Sequence, residues 1–285
     1  MEKLKIAIQK SGRLSEKSLD IISEAGINLS NGSRILISHA SNFPLEILYL
    51  RDDDIPQYIA DGVADAGIVG ENVMVESGAS LEVLERLGFA RCRLSLAVNK
   101  SVDYQNTSYF TGKRIATSYP RILKAWLDEN KLESEIHVIN GSVEIATGIG
   151  LADAIFDIVS SGSTLISNGL KEVEKIMDSE AVLLATPGIT GRKKEIMEEF
   201  IFRLRAVLAS RNNKYILLNA PDESLDKIIG AIPGMKSPTV LPLAVKGWSS
   251  VHSVVNENDF WQVIGKLREY GAQGILVIPI EKMIV

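Results

Sequence analysis

The sequence predicts an α/β protein, in which two α/β lobes form a cleft and a βαββαβ domain follows them. Three observations carry this. Short apolar runs alternate with amphipathic stretches from Leu4 onward; the alternation lapses near Asn99–Thr111 and restarts at Gly112; and after residue 211 two strand-like runs succeed one another with no helix between them.

The elements follow in order. Leu4–Gln9 reads as the first strand, and Ser15–Ala25 as a helix that stops at Gly26, a residue that accepts the left-handed backbone of a helix end. Arg34–Ala40 and Leu45–Arg51 read as strands, Ile55–Asp61 as a helix and Ala66–Val69 as a buried strand. In the second lobe Lys113–Thr117 is a strand, Pro120–Asn130 a helix with proline in its first turn, Glu135–Asn140 a strand, Val143–Gly150 a helix and Ala154–Val159 a strand. A long amphipathic helix spans about Lys193–Ser210, with Ile196, Phe200, Ile201, Leu204, Val207 and Leu208 on its apolar side. Then come Lys214–Asn219 (strand), Ser224–Ile232 (helix), Thr239–Val245 and Trp248–Val255 (a strand pair), Asp259–Tyr270 (helix) and Gly274–Pro279 (strand), the order of a ferredoxin-like unit. Phe260 and Trp261 read as core residues of the last helix. The boundaries that result are 1–98 with 178–210 for the first lobe, 99–177 for the second, and 211–285 for the C-terminal domain.

The lobes echo one another. Ala64-Asp65-Ala66 precedes the strand ending at Gly70, and Ala152-Asp153-Ala154 precedes the strand ending at Val159. Ligands of open α/β sheets sit beyond the carboxyl ends of the strands, so matched strand ends imply a cleft with one binding surface on each side.

Composition removes several classes of function. The 285 residues carry a net charge of −5, which argues against a general nucleic-acid surface. No apolar run is long enough to span a membrane, and Met1-Glu2-Lys3-Leu4-Lys5 passes into a strand without a signal-peptide segment, so a cytoplasmic protein is expected. Cys92 is the single cysteine, and His39, His137 and His252 are scattered, so neither a disulfide framework nor a zinc spacing exists. The Walker loop, the dinucleotide fingerprint after the first strand and the Gly-x-Ser-x-Gly elbow are all missing.

The chemistry concentrates at residues 153–165. An apolar strand bearing Asp153 and Asp157 runs into Ser160, Ser161, Gly162, Ser163 and Thr164, which offer successive backbone N–H groups and four hydroxyls around a glycine that lets an anion approach. An uncharged cradle beside carboxylates suits a phosphate carried on a sugar, with Asp153 or Asp157 accepting from ribose hydroxyls. A strand end followed by a helix cap is the plainer reading of the same residues. Lys10 and Arg13 flank Gly12 after the first strand, where anions bind in such folds.

The segments Ile8–Ser15, Arg51–Pro56, Gly67–Val73, Cys92–Ala97, Gly112–Pro120, Leu132–Glu144, the loop at 157–170 and Pro279–Met283, in this order, resemble those of the ATP phosphoribosyltransferases in their long form. The resemblance covers nearly the whole chain. It implies lobes of periplasmic-binding-protein-like type and a Mg2+-dependent transfer of phosphoribose from 5-phosphoribosyl 1-pyrophosphate to N1 of ATP, the first step of histidine biosynthesis. By the same resemblance Ser160–Thr164 would bind the 5-phosphate, and the catalytic carboxylates, Asp157 with Asp153 behind it, would bind the ribose. Lys10, Arg13, Arg51, Glu71 and Tyr119 would line the nucleotide and pyrophosphate side. Direct metal ligands are not indicated, Mg2+ being held mainly through the substrates. The family pattern further implies histidine as inhibitor, bound in the C-terminal domain by Asn219, Met235, Thr239, Val254 and Gly274. AMP or ADP would compete at the nucleotide site, and dimers would assemble into hexamers. A two-lobed binding protein or a non-catalytic regulatory subunit shares the lobes and the cleft, and stays open as the alternative.

Overall fold

The computed structural model describes residues 2–30, 36–232 and 237–284. In chain order the first stretch is β1 (Leu4–Gln9), α1 (Arg13–Glu24), β2 (Ile37–His39), β3 (Leu45–Leu50), α2 (Ile55–Ala60), β4 (Ala66–Gly70), α3 (Glu71–Ser77) and β5 (Glu82–Arg86). The second is β6 (Cys92–Asn99), β7 (Arg114–Thr117), α4 (Pro120–Glu129), β8 (Glu135–Val138), β9 (Ala154–Val159), α5 (Ser163–Ser167) and β10 (Leu170–Ser179). Then follow β11 (Ala181–Ala185), α6 (Gly191–Arg211), β12 (Asn213–Pro221), α7 (Leu225–Ala231), β13 (Thr239–Pro242), β14 (Trp248–Asn256), α8 (Glu257–Glu269) and β15 (Gln273–Pro279).

The first lobe is a six-stranded sheet in the order β2-β3-β1-β4-β11-β5, with β3, β1 and β4 parallel. Leu4, Ile6, Ala7 and Ile8 are all buried, as expected of a central parallel strand covered on both faces. The second lobe is a five-stranded sheet, β10-β6-β9-β7-β8, in which β7 is parallel to both β8 and β9. Leu94, Leu96, Ile115 and Phe156 pack one face against Ile122, Leu123 and Leu127 of α4, while Ala97, Ile155 and Val159 pack the other against Val143 and Leu165.

The chain crosses between the lobes twice, after β5 and after β10. The two crossings run side by side, Leu87 N–H donating to the Ala181 carbonyl and Ala181 N–H to that of Phe89, each at 2.9 Å. The lobe boundaries expected at 98/99 and 177/178 therefore move to residues 87–91 and Glu180. Cys92–Asn99 is an apolar run that could serve either sheet, and it pairs with β9 and β10 of the second. A second correction concerns Val143–Gly150: only Val143–Ile145 form a single 3-10 turn, followed by further turns. Gly148 and Gly150, the latter at φ +74°, weaken helix propagation there. Of the strand expected at 34–40, Arg34 and Ile35 lie outside the described residues and Ile37–His39 is formed.

Two compact units divide the chain, Met1–Ser23 with Ile27–Glu198, and Glu24–Gly26 with Glu199–Val285. The second unit thus takes in much of α6, earlier than the boundary expected at 211. Its antiparallel four-stranded sheet has the order β13-β14-β12-β15, so the first and third strands of the βαββαβ unit lie in the middle. Ile216, Leu218, Val251 and Val255 face Ile228, Phe260 and Leu267 of the two helices. Phe260 is buried as expected, whereas Trp261, one position further round α8, is 75% exposed.

Candidate active site

Within the first unit the carboxyl ends of the parallel strands of the two sheets line one cleft of about 660 Å3. From the first sheet come Arg51 and the turn Asp52–Asp54 after β3, and Val73, Glu76 and Ser77 of α3 after β4; from the second come Ser118 and Tyr119 after β7, and Asn140 and Gly141 after β8. Lys10 follows β1 and donates its N–H to the Leu50 carbonyl at 2.8 Å, which sets it beside Arg51. Arg13 opens α1 at the same sheet end. Lys10, Arg13 and Arg51 are exposed at this sheet end, Arg51 on the cleft wall itself, so no burial opposes their charge.

Tyr119 is the point where both lobes converge. Burial, then the carboxylates of Asp157 and Asp53, push its hydroxyl well above the usual phenol range, and the Asn72 side chain hydrogen-bonds to it. The phenol therefore stays protonated at neutral pH and can donate. Asn72 is itself held by Ser179, whose hydroxyl donates to the Asn72 amide oxygen at 2.8 Å and accepts from its N–H at 3.1 Å. A side chain at Gly70 would collide with that amide, so the close approach requires glycine.

The loop after β9 lines a recess of about 130 Å3 together with Glu144. Ser160, Ser161, Gly162, Ser163 and Thr164 all border it, Gly162 at φ +79° and the Ser161 and Ser163 hydroxyls 2.9 Å apart. Asp157 shares the face of β9 with Ile155 and Val159, by the two-residue period of a strand, and so faces the side covered by α5 and Glu144. Burial raises its carboxyl to about 6, the Ile158 N–H opposes this, and Glu144 adds to the rise.

Two expected site residues are placed elsewhere. Asp153 lies at the opposite end of β9 from the loop, about 13 Å along the strand from Asp157. Its carboxylate accepts from the Arg114 N–H, Nε and Nη2 at 3.0–3.2 Å, and these bonds hold it down to about 2. It anchors strand to strand, away from the loop. Glu71 forms two parallel bonds to Arg86 at 2.5 and 2.7 Å and lines a separate recess with Arg91, Cys92 and Glu180, while Asn72, the next residue, reaches Tyr119.

Sequence reasoning missed Glu76. Its two carboxylate oxygens accept from the Arg121 and Ile122 N–H groups at 2.9 and 3.0 Å, capping α4 from the other lobe. A helix that begins Tyr119-Pro120 has no capping side chain of its own, and that lack was the available signal.

The cleft, the uncharged loop and the C-terminal unit occur in the order of one known family along the whole chain. A family model described as ATP phosphoribosyltransferase matches residues 51–206, and one described as HisG, C-terminal domain, matches residues 210–282. The chain belongs to the ATP phosphoribosyltransferase family. It is 60% identical over 282 residues to the ATP phosphoribosyltransferase of Phocaeicola vulgatus, covering 99% of this chain and 100% of the relative. It is 58% identical over 281 residues to that of Cytophaga hutchinsonii, covering 99% and 98%. Among solved structures, a chain of the ATP phosphoribosyl transferase (HisG:HisZ) complex from Thermotoga maritima superposes with a TM-score of 0.64 at 30% identity, over 72% of this chain and 98% of that one.

In this ATP phosphoribosyltransferase the residues expected to hold histidine lie in the C-terminal unit. Asn219 of β12 pairs with Ser250 and Gln273, Thr239 of β13 with His252, and Val254 of β14 with Tyr215. The two-residue period puts all three on the sheet face opposite the helices. A Cβ on Gly274, at φ +57°, would meet the Asn219 amide nitrogen at 3.3 Å, so these two are neighbours. His252 sits among them, its Nδ1 2.7 Å from the Tyr215 hydroxyl and its Nε2 3.0 Å from that of Ser250. Met235 lies outside the described residues.

Proposed function

We propose that this enzyme transfers phosphoribose from 5-phosphoribosyl 1-pyrophosphate to N1 of ATP at the junction of the cleft and the loop after β9. The carrying observation is Asp157, three residues before an uncharged hydroxyl-rich loop that Glu144 also borders, and within electrostatic reach of Tyr119 on the cleft wall. Adenine N1 has a free lone pair, so no strong base is required, and the work is positioning and charge stabilisation. Ser160–Thr164 hold the 5-phosphate. Asp157 accepts from the ribose hydroxyls and, ionised, faces the positive character that grows at C1. Tyr119, Lys10, Arg13 and Arg51 hold the nucleotide and the leaving pyrophosphate.

Magnesium suits this donor set as an ion carried by the substrates, since Mg2+ keeps most of its ligands on phosphate and water and needs few from protein. Carried there by the substrates, it would supply positive charge against the leaving pyrophosphate, beside Lys10, Arg13 and Arg51. AMP and ADP compete for the nucleotide side. Histidine binds the open face of the C-terminal sheet at Asn219, Thr239, Val254 and Gly274 and inhibits from there, in a cytoplasmic homo-oligomer built of dimers. Incubating the full chain with ATP, 5-phosphoribosyl 1-pyrophosphate and Mg2+ should yield a new ultraviolet-absorbing adenine product. Tight ligand binding with no product would favour the binding-protein reading.

A further inference from the structure

Arg93 stands at the start of β6, opposite Val159 at the end of β9, and divides its guanidinium between two partners. Nε and Nη2 each donate to one oxygen of Glu172 on β10, both at 2.5 Å, a fork that fixes the plane of the group. Nη1 donates to the Ser160 carbonyl at 3.1 Å. Ser95, two residues along and directly across from Asp157, donates its hydroxyl to Glu172 at 2.7 Å. The far end of β6 grips the same segment: Lys100 N–H donates to the Gly169 carbonyl at 2.9 Å and its Nζ to the Ile166 carbonyl at 3.0 Å. Residues 160–169 are therefore tied at both ends to β6.

We propose that Arg93 is a positioning residue for phosphoribose transfer: braced by Glu172, it fixes the Ser160 carbonyl and with it the orientation of the N–H and hydroxyl groups that receive the 5-phosphate. This rests on reading the loop after β9 as the phosphate site. Arg93 does not serve as the phosphate's own counterion, because Glu172 already takes its charge; the pairing also holds the Glu172 carboxyl below its usual range. The role demands an arginine. A lysine keeps the charge but cannot fork to a carboxylate and reach a carbonyl at once.

The test is steady-state kinetics on the full-length enzyme, each substrate varied in turn, with thermal melting alongside. R93K and E172Q should raise KM for 5-phosphoribosyl 1-pyrophosphate about ten- to hundredfold, the worth of a charged hydrogen bond, and leave KM for ATP within about twofold. Replacing the pair by apolar side chains often preserves stability, so R93M/E172M should melt near the wild type with the same selective KM defect. Thr164→Ala, which alters the loop directly, is the reference. If Thr164→Ala raises KM for that substrate and R93K does not, the positioning role is wrong. If neither does, the loop is not the phosphate site and both readings fail. KM values for both substrates rising in proportion to lost melting temperature would reduce Arg93 to a structural brace and overturn the proposal.

Discussion

Asp153 and Asp157 occupy opposite ends of one strand, and their carboxyls are driven in opposite directions: Arg114 holds Asp153 down to about 2, and burial pushes Asp157 up to about 6. The first is satisfied within the fold; the second carries a desolvation cost that a bound ribose can relieve. That asymmetry is the ground on which Asp157, rather than Asp153, is proposed to meet the ribose.

Asp157→Asn should stabilise the ligand-free protein at pH 8. The folded carboxyl titrates near 6 against an ordinary 3.8, so the native state holds its proton more tightly. Wild-type stability is full below about pH 4 and falls as pH rises through 6. Removing the charge recovers roughly 1–3 kcal/mol above pH 6 and nothing near pH 4. Urea unfolding at the two pH values checks this; a variant less stable at pH 8 would contradict it.

Asp153→Asn should behave in the reverse way. Its folded carboxyl is lowered from 3.8 to about 2, so it adds stability above pH 4 that is lost as pH falls toward 2. The variant should melt below the wild type at pH 7, by a modest margin because the pair with Arg114 is partly exposed. Turnover at saturating substrates should change less than about threefold, since a group that touches no reacting atom removes no transition-state contact. A large loss of turnover at unchanged melting temperature would return Asp153 to the active site.

Gly162→Val should abolish activity. Gly162 has φ +79°, a conformation a β-branched residue resists, and a side chain there would stand in the loop that receives the phosphate. The cost should be local, because the nearest atom a Cβ would meet is Val159 Cγ1 at 3.9 Å. Near-normal turnover in a folded variant would remove the loop from the site.

Thr239→Val or Asn219→Ala should relieve inhibition by histidine without altering uninhibited turnover, since both lie in the C-terminal unit. A coupling of about 1–3 kcal/mol corresponds to some 5–150-fold in apparent inhibitor strength, which titration of histidine against initial rate resolves. Unchanged inhibition in both variants would place the effector elsewhere.

Much of the fold was legible because its strands are compact apolar runs closed by glycine or polar residues, as at Leu4–Gln9 and Ala154–Val159. What the sequence concealed is long-range. Asp153, just before β9, and Asp157, within it, share a face by strand period, and what tells them apart is Arg114, 39 residues from Asp153, and the burial of Asp157. Arg93 meets Glu172 across 79 residues, and Glu76 caps α4 across 45. The run Cys92–Asn99 carried no mark of which sheet it would join, so the lobe boundary was misplaced. Glu71 and Asn72 both open α3, and successive helix positions send the first to Arg86 and the second to Tyr119.

The sharpest test is the rate of pyrophosphate release by the full-length enzyme and by Asp157→Asn, at saturating ATP, 5-phosphoribosyl 1-pyrophosphate and Mg2+ and at pH 8. The wild type should release one pyrophosphate for each adenine product formed. The variant, although at least as stable, should be slower by about two orders of magnitude or more, the scale on which loss of a transition-state electrostatic contact is felt. Turnover by Asp157→Asn close to that of the wild type would contradict the assignment of the site.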